Sequence, residues 1–176
     1  MRNIFIGMIL VFLNFNIDLG SSRIGLIPTF LGYVYMVKGL AELEEFSDRF
    51  SKVMPYTKVM IAYSVIIYLV ELSGLWLVIA RPISLLLGLV STIVSLVISH
   101  GIIMGIKDIE AARVQNLNSE RLYFTWKLLA VFSLIVYPFS IIPALQILSI
   151  AIGFIIAVYY LSIFNKTKNL FYEGQL

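Results

Sequence analysis

Glu71 is the residue of this chain most able to do chemistry, because it interrupts an otherwise uncharged apolar run from Val59 to Ala80. An ionisable side chain at the centre of a membrane helix costs about 2.5 to 3.5 kcal/mol on insertion scales, so such a group is paired or functional by default. Glu71 follows Lys58 by 13 residues; at ~1.5 Å per residue that places it roughly 20 Å in from the polar end, near mid-span. Ser64, Tyr68 and Glu71 fall at i, i+4 and i+7, one polar stripe on a helix. The next apolar run answers with Gly88, Thr92, Ser95 and Ser99 at spacings of four, three and four. If the two runs form a hairpin turning at Arg81-Pro82, Thr92 and Ser95 come level with Glu71. Two chemistries fit. One is a close-packed seam in which small residues admit the backbones and hydroxyls satisfy a protonated carboxyl; the other is a carboxyl that loads a proton or a cation.

His100 stands seven residues before Lys107, hence roughly 10 Å from the polar end and level with Tyr63 or Ser64. That separates it from Glu71 and favours a hydrogen-bonded structural histidine. With one histidine, no cysteine and no carboxylate cluster, neither a metal site nor a cofactor is expected. A second polar group, Asn14, Asn16, Asp18 and Arg23, surrounds the turn of the first apolar pair. It reads as a capped turn in which Asp18 and Arg23 pair, or as oxygens offered to a cation or headgroup in the manner of broken transporter helices. No Gly-x-Ser-x-Gly elbow, phosphate loop or His-Glu-x-x-His occurs, and adjacent Ser99-His100 point apart on a helix, so catalysis is disfavoured.

These groups sit in a chain that is 60% hydrophobic and 13% charged, with a mean hydropathy of +0.96. A soluble domain is about a quarter charged, so we read residues 1–176 as one integral membrane domain. A spanning helix needs about 20 apolar residues. Val59–Ala80 and Ile83–Ile106 supply two, and the uncharged run Leu128–Phe164, divided at Pro138 and Pro143, supplies two more near Leu122–Tyr137 and Ala144–Asn165. Asn3–Leu19 and Ile24–Leu43 form a third pair that either spans or re-enters, because Gly25, Pro28 and Gly32 act as breakers. The start, Met1-Arg2-Asn3 before Ile4–Phe15, resembles a signal peptide but lacks a cleavage site.

The expected fold is therefore all-α, a polytopic bundle of about six segments in three hairpins, near 3–43, 57–106 and 122–165, with linkers 44–56 and 107–121. Of the 13 basic residues, 11 then fall on the side of both termini, and only Arg23 and Arg81 fall opposite, which by the positive-inside rule puts both ends in the cytoplasm. The basic residues mark membrane orientation, not nucleic-acid binding. Leu43, Phe46, Phe50 and Val53 recur among charges, as in an amphipathic surface helix or a solvated extension of the second segment. Gln146, Ser149, Gly153, Ala157 and Tyr160 form a small, polar packing stripe, while Trp76, Trp126, Tyr123, Tyr159 and Tyr160 suit interfacial anchors.

The segments Asn14-Phe-Asn16-Ile-Asp18, Gly25-Leu-Ile-Pro28-Thr-Phe-Leu-Gly32-Tyr33, Gly105-Ile-Lys107-Asp108-Ile-Glu110 and Asn165-Lys-Thr-Lys168 resemble an uncharacterised family of small polytopic membrane proteins from Gram-positive, low-GC bacteria. The resemblance implies a bacterial cell membrane and no catalytic residues. It also implies an acid after Pro28, where this chain has Thr29. The expected function is a non-catalytic accessory or interaction subunit, partnered by the bilayer and by another membrane protein or a second copy. The alternative is a small transporter or channel subunit using Glu71.

Overall fold

The computed structural model describes residues 1–13, 16–19, 22–25, 28–74, 81–139 and 143–174. Glycine sets the first helix pair. Helix α1 (Arg2–Phe12) and helix α2 (Thr29–Leu43) approach until a Cβ placed on Gly7 would stand 2.5 Å from the Gly32 carbonyl oxygen, and one on Gly39 would stand 2.6 Å from the Ile4 nitrogen. Gly32 is thus a packing surface inside α2, not a breaker. What interrupts the expected helices is the polar stretch between them. Asn16–Leu19 (β1) pairs antiparallel with Ser22–Gly25 (β2), in the register Asn16 to Gly25, Ile17 to Ile24, Asp18 to Arg23 and Leu19 to Ser22. Asn, Asp, Ser and Gly are weak helix formers and favour turns. The expected helices 3–19 and 24–43 are therefore corrected to shorter ones of 11 and 15 residues, with the two four-residue strands between them.

Helix α3 (Asp48–Leu72) begins where Ser47 adopts extended backbone and its hydroxyl accepts the Arg49 N–H at 3.3 Å, an N-cap with Asp48 favourably placed in the first turn. The cap shows that 44–56 is neither a surface helix nor an extension of α2, for Phe50 and Val53 are buried within the bundle. Leu72 ends the helix. Gly74 takes φ 72° and donates its N–H to the Glu71 carbonyl at 3.2 Å, closing a Schellman-type stop that glycine permits without strain.

Helix α4 (Arg81–Arg113) carries Pro82 in its first turn, and helix α6 (Pro143–Glu173) starts on Pro143. Proline's missing N–H has no intrahelical partner at such positions, so both prolines start helices where sequence reasoning took them as breaks. On α4, Gly101 meets Val53 and Gly105 meets Phe50, whose Cζ would lie 2.5 Å from an added Cβ. This small-xxx-small pair fixes the antiparallel α3/α4 register. Helix α5 (Ser119–Phe139) follows a turn in which Ser119 donates its N–H to Glu110 at 3.0 Å. Four helices, α3 to α6, are long and apolar enough to cross a membrane.

The start of α1, the C-terminal end of α6 and both polar linkers meet at one end. Arg2 donates its backbone N–H to the Tyr172 hydroxyl at 3.1 Å, Asn3 bonds Glu42, Arg49 pairs with Asp108 at 2.8 Å, and Gln115 donates to the Leu170 carbonyl at 2.7 Å. Burial is concentrated there. The buried residues of α3 stop at Ser64, those of α4 begin at Leu96, and those of α5 stop at Leu129, among the described side chains. On α6 all but Ser149 lie from Ala157 onward. The half nearest the polar end is closely packed, and the other half opens.

Candidate functional site

Above the packed half lies a cavity of about 410 Å³ between α1, α2, α4, α5 and α6. Helical spacing builds its walls. Ser91, Thr92 and Ser95 share one face of α4, Ser133 and Tyr137 stand four apart on α5, and Ser149, Gly153 and Ala157 repeat at four on α6. Thr29 and Tyr33 close the side formed by α2, while Leu96, Leu129 and Ala157, all buried, belong to the packed half and form the floor. The lining thus carries eight hydroxyls and no acid, amine, guanidinium or imidazole among the described residues.

Several of these hydroxyls also tie the helices together. Ser95 donates its single proton to the Ser91 carbonyl at 2.7 Å, so in its 2.6 Å contact with Tyr33 the phenol is the donor. The Thr92 and Tyr137 hydroxyls are hydrogen-bonded at 2.7 Å, and Tyr137 lies over Gly88, where an added Cβ would stand 3.3 Å from its oxygen. These bonds hold α4 to α2 and to α5. A hydroxyl retains acceptor capacity after donating, so the wall offers directional hydrogen bonds at fixed positions without charge. It can orient an uncharged, hydrogen-bonding molecule, and it contains no base able to take a proton from one.

The structure brings Thr92 and Ser95 together but separates Glu71 from them. Glu71 lies in the last turn of α3 and does not line the cavity. Val53 faces Gly101, so the equal rise of antiparallel helices sets Glu71 beside about residue 83 of α4. The expected alignment of Glu71 with Thr92 and Ser95 is corrected: it rested on a turn at Arg81-Pro82, whereas α3 ends at Leu72. Tyr68 packs edge-on against Phe30, with ring centroids 5.8 Å apart. His100 shifts likewise, from the level of Tyr63 to that of Val53, and shares a groove with Arg49, Lys52 and Tyr56. Its ring lies 4.8 Å from that of Trp126, whose indole N–H donates to Ser99 at 2.9 Å. Trp126 is accordingly part of the α4/α5 contact.

In the β-ribbon Asp18 stands directly opposite Arg23, and Asn16 opposite Gly25. Asn14, Trp76 and the side chain of Gln146 lie outside the described residues. Ser149, Gly153 and Ala157 form cavity wall, while Tyr160 is fully buried and donates to the Met8 sulfur at 3.4 Å. The sequence reading missed Tyr33, Ser133 and Tyr137. The i, i+4 spacing of Ser133 and Tyr137 was a usable signal, whereas Tyr33 is placed only by the glycine contact of α1 with α2. No protein-family model, curated protein or solved structure matches this chain.

Proposed function

We propose that this chain is a non-catalytic, multi-pass protein of a bacterial cytoplasmic membrane that binds a small uncharged, hydrogen-bonding molecule inside its helical bundle. The hydroxyl-lined cavity carries the proposal. Its volume of about 410 Å³ falls within the ~300 to 1,000 Å³ of small-molecule sites, and neutral hydroxyls are inexpensive to keep in a bilayer where charges are not. Six segments with both termini in the cytoplasm form the accompanying topology. Laid end to end, α1 reaches about 16 Å and β1 about 13 Å, comparable to the ~30 Å hydrocarbon thickness. The basic residues gather at the end that holds both termini, which supports placing that end inside.

The test is a thermal-shift screen of the purified protein with neutral polyols and sugars against their phosphorylated or carboxylated counterparts. The proposal expects stabilisation by a neutral compound, lost in the cavity-filling variant Ser149→Leu. Equal stabilisation by charged analogues, or retention in Ser149→Leu, would refute it. Glu71, apart from the cavity, has no place in this binding.

One observation favours a second reading, an accessory or interaction subunit. Val114 holds φ at 51° and is 94% exposed in the turn between α4 and α5. A β-branched residue in the left-handed region is strained, and here the strain presents an apolar side chain to the solvent beside the basic end. Cross-linking from this turn in native membranes would capture a consistent partner on that reading, and none otherwise.

A further inference from the structure

Outside the cavity, the outer faces of α3 and α4 each change character at one level. Along α3, Val59 and Ile66 are exposed and apolar, and the same stripe continues through Tyr56 to Lys52. Along α4, exposed Val90, Ile93 and Val97 lead to His100. The two stripes meet in a groove of about 220 Å³ whose polar rim is Arg49, Lys52, Tyr56 and His100. Asp108 accepts the Arg49 Nε–H at 2.8 Å and also the Ser47 hydroxyl at 2.7 Å. The guanidinium is therefore oriented while its two terminal nitrogens keep their protons for another acceptor. Lys52 has no acidic partner among the described residues. Arg49 and Lys52 also border the next depression towards the linker, which Glu44, Glu45, Asp48 and Asp108 line, whereas the groove itself has no acid among its described lining residues.

From this we propose that the α3/α4 groove binds the phosphate of an anionic glycerophospholipid, with Arg49 and Lys52 on the phosphate, Tyr56 at the headgroup level and the acyl chains along Val59, Ile66, Val97 and Ile93. The charge and the shape argue together: a basic rim continuous with an apolar track is complementary to an amphiphile with an anionic head. Arginine suits a phosphate because its planar fork donates two parallel bonds. The inference rests on the reading of the basic end as the membrane surface, but not on the cavity or its ligand.

The experiment is native mass spectrometry of the purified chain in detergent, titrated with phosphatidylglycerol, with phosphatidylcholine and with inorganic phosphate. A basic residue near an anionic surface is worth ~1 kcal/mol, or about fivefold in affinity. Wild type should retain phosphatidylglycerol over phosphatidylcholine, Lys52→Gln should lower that preference about fivefold, and Arg49→Gln/Lys52→Gln should abolish it. Lys166→Gln, which removes an exposed charge from α6, should change nothing. Because Lys52 is exposed and makes no hydrogen bond among the described residues, its single variant gives a readout even if loss of Arg49 unfolds the protein. Three results would overturn the proposal: preference unaffected by Lys52→Gln, an equal loss in Lys166→Gln, or displacement of the lipid by inorganic phosphate. Retention in detergent does not depend on orientation, so a failure here is separable from a failure of the topology.

Discussion

The two halves of the bundle are made from similar residues but do different work. Towards the polar end, α3 to α6 bring Phe50, Ile102, Leu122 and Phe164 to near-zero exposure, and glycines hold the backbones close. Towards the other end the same four helices leave Ile66, Leu86, Val131 and Ile155 exposed, and α4, α5 and α6 join α1 and α2 in surrounding a hydroxyl-lined cavity. In a bilayer, association of helices depends on close packing and hydrogen bonds because lipid is as apolar as leucine. The packed half therefore supplies the stability, while the open half keeps its hydroxyls on the cavity wall.

The largest expected difference lies along one helix. Phe164→Ala removes a fully buried ring stacked on Phe5 at 6.1 Å and should cost about 3 to 5 kcal/mol. Ile155→Ala, about two and a half turns away at an exposed position, should cost less than about 1 kcal/mol. Unfolding titrations in mixed micelles measure both, and equal costs would break the comparison. Glycines sharpen it next. Gly105→Ala drives a Cβ into the Phe50 ring and should cost about 1 to 3 kcal/mol, whereas Gly88→Ala meets the Tyr137 hydroxyl at 3.3 Å, needs a shift of only a few tenths of an ångström, and should cost less.

Smaller effects are expected at the rim and in the cavity. Val114→Gly should stabilise the protein by about 1 kcal/mol by relieving a left-handed valine, read as a raised melting temperature. Thr92→Val and Ser95→Ala each remove an interhelical hydrogen bond worth about 0.6 kcal/mol in a membrane. Their chief consequence should be weaker ligand stabilisation in the thermal-shift screen.

How much of this was legible in the sequence follows from the kinds of signal involved. Charge and hydropathy delimited the four long helices, and the shared end of termini and linkers followed from the basic residues. The α3/α4 register was not legible, because Arg81-Pro82 has the composition of a turn while Pro82 in fact occupies the first turn of α4. That displacement removed Glu71 from Thr92 and Ser95. Gly101 and Gly105, four apart, carried the true register in plain sight. Gly7, Gly32 and Gly39 are harder to read, since a glycine that breaks a helix and one that packs it look alike until the partner helix is in place. Thr92 and Ser95 were recognised as site residues, but their partners Tyr137 and Tyr33 lie on α5 and α2, and hydropathy does not pair distant helices.

Cysteine is absent from the chain, so single probes report directly on the division between the halves. The decisive measurement is the rate at which a membrane-impermeant thiol reagent labels Ser133→Cys in the cavity wall, Ser99→Cys in the packed half and Glu45→Cys at the basic end. Labelling of Ser133→Cys from the outer side, of Glu45→Cys from the cytoplasmic side alone, and of Ser99→Cys from neither is the predicted result. Labelling of Ser99→Cys as fast as Ser133→Cys, or of Ser133→Cys from the cytoplasmic side, would contradict a packed inner half beneath an open, ligand-binding one.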